Sequence, residues 1–134
     1  TTKDHFIRAC LEAIAYQVYD LVTAMQRDAG VAITNLNVDG GASANNFLMQ
    51  FQSDILDANV VRPMVTETTA LGASYLAGLT VGYWSDIAYI RSNVEIDKVF
   101  VPHMDDETRR KLVGGWAQAI KQASPSVGKW LDKN

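Results

Sequence analysis

Gly40, Gly41, Ala42 and Asn45, within the run VDGGASANN at 38–46, are the residues of this chain best suited to chemistry. A glycine pair and two side-chain amides, Asn45 and Asn46, gather where a β-like run gives way to an amphipathic helix. Glycines allow close backbone approach by a ligand, and the helix that follows opens with unpaired N–H groups that favour anions. Such a junction suits a nucleotide. It equally suits a plain tight turn, because glycine pairs are ordinary punctuation before a helix. Asp39 has two matching roles: a carboxylate that steadies the turn, or one near metal-bound phosphate. Asn46 is suited to capping or supporting the same turn.

The other chemistry-bearing residues are scattered. His5 and His103 lack companions at metal-ligand spacing and read as surface or packing residues. Asp105, Asp106 and Glu107 precede Arg109, Arg110 and Lys111, the charge order that complements a helix dipole, so the acids read as a solvated helix start. Cys10, the single cysteine, falls at a core-like helical position and reads as a buried structural thiol. Tyr75, Tyr83 and Trp84 are aromatics for a core or an interface, with stacking on a base as the other use.

The elements that must position the junction are legible in the apolar spacing. Over residues 4–27, Phe6, Cys10, Ala13, Ile14, Gln17, Leu21 and Met25 recur every three or four positions, predicting a long amphipathic helix that stops near Gly30. Residues 31–39 predict a strand with Leu36 and Val38 on one side. A second helix is expected over 43–57 with Phe47, Leu48, Phe51 and Ile55 inward. Val60, Val61 and Arg62 before Pro63 predict a short strand. A third helix is expected over 69–81, its small residues suited to close approach to a sheet, and Gly82 ends it. The stretch 83–93 has no secure period. After Pro102 a last helix carries Leu112, Val113, Trp116, Ala119 and Ile120 on its apolar face, interrupted at Pro125 and Gly128, with fraying expected near the end.

Alternating helices and strands predict parallel pairing in a three-layer α/β fold, yet two short strands make an incomplete sheet. The chain has 134 residues, 48% hydrophobic and 20% charged, which suffices for about one core. A net charge of −3 and no basic stripe argue against nucleic acid. No apolar run approaches the roughly 18 residues of a membrane span. The single cysteine and the lack of a signal pattern at Thr1 point to a cytoplasmic setting.

These motifs in combination resemble the FGGY carbohydrate kinases. The resemblance runs from DHFIRACLEAIAYQVYD through VDGGASANNFLMQFQSDIL and TALGASYLAGLTVGYW to GGWAQAIKQA, nearly the whole chain. It implies that residues 1–134 form the C-terminal part of an actin-like, RNase H-like ATPase domain, with 123–134 as a frayed tail. It further implies transfer of the ATP γ-phosphoryl group to glycerol, giving glycerol 3-phosphate. Gly41 would be the glycine whose backbone approaches the nucleotide, Asn45 the amide on the adenosine side, and Gly40 and Ala42 walls of that pocket.

The resemblance places the catalytic base, the glycerol-binding residues and most ligands of the accompanying Mg2+ upstream, so no catalytic or metal-binding residue is assigned here. ATP or ADP and glycerol are the expected partners, and the complete enzyme is expected to be a homo-oligomer. The segment PHMDDETRRK departs from the pattern by which some relatives bind a sugar-transport regulator. Two other readings stay open: a different FGGY sugar kinase, and a non-catalytic assembly module whose helical faces pair with other protein.

Overall fold

Leu48, Met49, Phe51 and Ile55 of helix α2 (Asn46–Leu56) are buried, and the hydrophobic core is built around them. The computed structural model describes residues 1–123. The interruption expected at Pro125 and Gly128 and the fraying beyond lie outside the described residues. Before α2 come α1 (Lys3–Ala29), β1 (Asn35–Asn37) and a 3-10 turn (Gly41–Ala44). After it come β2 (Asn59–Pro63), α3 (Thr68–Thr80), α4 (Ile87–Ser92), β3 (Ile96–Phe100) and α5 (Asp106–Ala123).

The strands lie in the order β1, β2, β3. As alternation of helix and strand predicts, β1 and β2 are parallel, with Leu36 opposite Val60. β3 was not anticipated; it pairs antiparallel to β2 and sets Phe100 opposite Val60. Leu36, Val60 and Phe100 therefore form one row across the sheet, and side-chain alternation turns that row toward α2. Val60 and Phe100 are fully buried there, with Tyr16, Leu48, Phe51 and Ile55. Asp97 and Lys98 interrupt the apolar run around β3, which hides its strand character from a hydropathy reading.

The strand expected over 31–39 is confined to three residues. The Ile33 N–H donates to the Gln26 side-chain oxygen at 2.6 Å, so local capping takes the group that a longer ladder would need. Asp86, whose carboxylate accepts from the Tyr89 N–H at 2.7 Å, starts α4 in the stretch that lacked a period.

α1 corrects the sequence reading of its inner face. Ala15, Tyr16 and Val22 are buried, flanked by Leu11 and Tyr19, whereas Phe6, Ile14, Leu21 and Met25 are exposed. Cys10 is exposed too, not buried. At 3.6 residues per turn the two apolar sets occupy different stripes of one helix. The stripe that packs on α2 is the one containing Tyr16, whose ring meets Phe51 edge-on and lies flat on Trp116 at 5.2 Å. Burial raises the Tyr16 phenol above its ordinary pKa, helped by the nearby Glu12 carboxylate. Within α2, Phe47 is likewise half out, 41% exposed, and stacks on Phe51 instead of entering the core.

Polar groups tie these layers together. The buried Ser53 hydroxyl donates to the carbonyls of Ala58 and Phe100 at 2.8 and 3.0 Å, joining α2 to the sheet. Arg109 of α5 donates to the Asp54 carbonyl, to the Met104 carbonyl and to Asp57, the left-handed residue that ends α2. Asp105 caps α5 as the acidic cluster suggested: its carboxylate accepts from the Thr108 N–H and hydroxyl, which holds it below the usual carboxylate range. Leu112, Val113 and Trp116 pack against the core, while Ile120 of the same expected face is exposed.

The third layer stands apart. α3 and α4 face the other side of the sheet across a cavity of about 740 Å³, lined by Val61, Ile96, Leu71, Tyr75 and Arg91 among others. The small residues of α3 thus do not bring it onto the strands; Ala70, Ala73 and Ala77 are exposed. Gly78 alone is buried, against Trp84, which meets Tyr75 and Tyr83 edge-on. A Cβ at Gly78 would stand 2.0 Å from the Trp84 ring. Gly78→Ala is therefore expected to lower stability by about 1–3 kcal/mol through overpacking, read as a lower unfolding midpoint with an altered tryptophan emission.

Candidate nucleotide site

The VDGG run leaves the sheet through Val38, whose N–H still donates to the Val61 carbonyl at 3.0 Å. Gly40 then takes φ 78° and ψ 171°, a conformation open almost only to glycine. Its N–H donates to the Thr66 carbonyl at 2.9 Å, and its carbonyl accepts from the Ser43 hydroxyl at 2.6 Å. Ser43 is 2% exposed, so its hydroxyl serves the turn from inside. Asp39 accepts a hydrogen bond from the Thr68 hydroxyl at the start of α3. Its carboxylate thus ties the turn to the third layer, a turn-steadying geometry.

Gly41, Ala42 and Asn45 lie on the outer side of this turn and are exposed, with Gly40 half-buried beneath them. A Cβ added to Gly41 would meet nothing within 4 Å. Nothing in the packing demands glycine there. Asn45, not Asn46, caps α2: its Oδ1 accepts from the Leu48 N–H at 3.0 Å. The Asn45 Nδ2 remains as a donor at the mouth of the helix. Asn46 instead accepts from Arg62 at 2.9 Å and supports the turn from its sheet side. The structure thus brings the expected site residues together at one helix start.

The remaining candidates fall elsewhere. His5 forms a capping box with Thr2 at the start of α1, and the His103 N–H donates to Asp54. No group of three or more His, Cys, Asp or Glu side chains suited to a metal occurs among the described residues. Tyr75 lines the cavity between the sheet and α3. Sequence reasoning missed Arg62 as a site element, having read it only as part of a strand before proline; no local pattern announces the turn it reaches.

A mixed sheet under helices, ending in a glycine turn at a helix start, places the chain among the sugar kinases built on the actin-like ATPase fold. More particularly, it belongs to the FGGY family of carbohydrate kinases, whose C-terminal domain matches residues 1–81. The glycerol kinase of Bacillus velezensis is 57% identical over 92% of this chain and 25% of its own length. That of Thermoanaerobacter pseudethanolicus is 56% identical over 98% of this chain and 26% of its own. Among solved structures, Plasmodium falciparum glycerol kinase with ADP superposes with a TM-score of 0.81 at 36% identity, covering 91% of this chain and 24% of that one. Gluconate kinase from Lactobacillus acidophilus gives 0.70 at 25% identity, covering 96% and 26%. The chain thus spans about a quarter of the length of the curated relatives it matches.

Proposed function

We propose that the chain is the nucleotide-holding C-terminal portion of a glycerol kinase, an enzyme that moves the ATP γ-phosphoryl group to a glycerol hydroxyl. The observation that carries this reading is the 55–58% identity to glycerol kinases across nine-tenths or more of the chain. The ADP named for the Plasmodium relative supports a nucleotide at the corresponding domain here. Within the chain, the turn residues fit that ligand. Gly41 leaves open space, Asn45 offers a donor through Nδ2, and the first N–H groups of α2 favour negative charge.

Such a junction supplies only part of a phosphoryl-transfer site. An exposed helix start contributes about 0.3–1 kcal/mol toward an anion, far short of the barrier reduction an enzyme requires. Transfer depends on donor, acceptor and charge-neutralising groups converging in line, and Mg2+ would supply part of that charge neutralisation. We place the base, the glycerol contacts and most metal ligands in sequence beyond these residues, and the complete enzyme in the cytoplasm as a homo-oligomer. Among the described residues no helix is long and apolar enough to cross a membrane.

The test is the full-length kinase assayed with ATP and Mg2+ against glycerol, pentuloses and gluconate in parallel. Preference for glycerol by kcat/KM supports the reading. Preference for a sugar would move the chain to another branch of the same family, and no nucleotide-dependent transfer would favour an assembly module.

A further inference from the structure

Arg62 grips the candidate turn from beneath. Its guanidinium is on the same strand face as Val60 and Phe100, its side chain is 12% exposed, and it lies over the Phe100 ring at 5.2 Å. Nε donates to Asp97 at 2.7 Å, which fixes the plane of the group. A single nitrogen, Nη1, then donates to the Ser43 carbonyl at 2.8 Å and to Asn46 Oδ1 at 2.9 Å. Ser43 and Asn46 are the residues that bracket Ala44 and Asn45. The last residue of the 3-10 turn and the capping amide are thus held between two points pinned to one cation.

We infer that Arg62 is a positioning residue for the nucleotide turn, acting on ATP through Asn45 and the start of α2; this rests on the reading of the turn as the nucleotide site. Charge-assisted bonds of this kind are the strong ones, and their planar fork cannot be reproduced by an ammonium. Lysine could reach one acceptor, but not Ser43, Asn46 and Asp97 together in the same plane. Asp97 would then act one step further back, as the partner that orients the guanidinium.

The experiment compares Arg62→Lys, Arg62→Met and Asp97→Asn in the full-length kinase, with Gly41→Val alongside. Arg62→Met keeps an apolar stem over Phe100 while deleting the donors. The expected result is a rise of at least about fivefold in the KM for ATP for both Arg62 variants, as loss of charged hydrogen bonds implies. A smaller rise is expected for Asp97→Asn, with the KM for glycerol unchanged throughout. Equal rises for ATP and glycerol would mark Arg62 as merely structural and overturn the inference. Unchanged ATP use in the Arg62 variants, with Gly41→Val impaired, would overturn it while the nucleotide reading stands. If Gly41→Val also leaves ATP use unchanged, that reading fails and the inference with it. Should both Arg62 variants fail to fold, Asp97→Asn decides by the same split.

Discussion

Gly41→Val is expected to raise the KM for ATP on the order of 10- to 100-fold in the proposed full-length glycerol kinase, with the unfolding midpoint and the KM for glycerol unchanged. The separation of the two effects follows from the geometry of the glycine pair. At Gly41 a Cβ meets open space and the backbone lies outside the left-handed region, so the folded chain accepts a side chain without strain. Only a ligand approaching the bare backbone would meet the two methyl groups. Gly40 provides the contrast: at φ 78° and ψ 171° any other residue is strained by about 1–3 kcal/mol, whatever binds. Gly40→Ala therefore lowers the unfolding midpoint, and Gly41→Val does not. Steady-state kinetics with ATP varied, together with thermal unfolding of both variants, checks the pair. A Gly41→Val enzyme with normal ATP dependence would remove the turn from the proposed nucleotide site.

The largest stability effect belongs to Phe100. Its ring is 2% exposed at the end of the row Leu36, Val60, Phe100, where β3 meets α2. Truncation removes the aromatic ring and leaves a cavity among Leu48, Ile55 and Val60, which together cost about 3–5 kcal/mol. That is a large fraction of the roughly 5–15 kcal/mol by which domains are stable. Phe100→Ala is thus expected to shift the urea midpoint sharply downward, and Phe100→Leu to recover much of the loss. Arg62 and Lys98 both lie over this ring, so the alanine variant also strips two cations of their aromatic partner. A midpoint unmoved by Phe100→Ala would mean that β3 does not seal the core as described.

Helix and strand periods made α2, β2, α3 and α5 legible, because each carries a start signal or a dominant apolar face. The glycine turn was legible for the same reason: its residue types are unusual, and they lie next to one another in sequence. What escaped notice depends on partners. α1 carries two apolar stripes, and only the tertiary contact with Phe51 and Trp116 selects the one containing Tyr16. β3 contains Asp97 and Lys98, whose charges read as loop until Asp97 is seen paired with Arg62 across the sheet. The capping role moved from Asn46 to Asn45 because a 3-10 turn occupies 41–44 and delays the start of the helix. Arg62 was invisible as a site element because the residues it holds, Ser43 and Asn46, lie 19 and 16 positions earlier.

The Trp116 Nε1–H donates to Asp20 at 2.8 Å, while its ring stacks on Tyr16. Donor and acceptor are 96 residues apart in sequence. Closing so long a segment carries an entropic cost of about 4 kcal/mol before the contact returns anything. A contact of that separation is expected to form late in folding, after α2 has met β2 and β3. A latch that forms so late is expected to govern how long the native state persists more than how fast it is reached. Trp116 is in that sense a residue of lifetime: it keeps α1 and α5 closed over α2 once the sheet beneath them already exists.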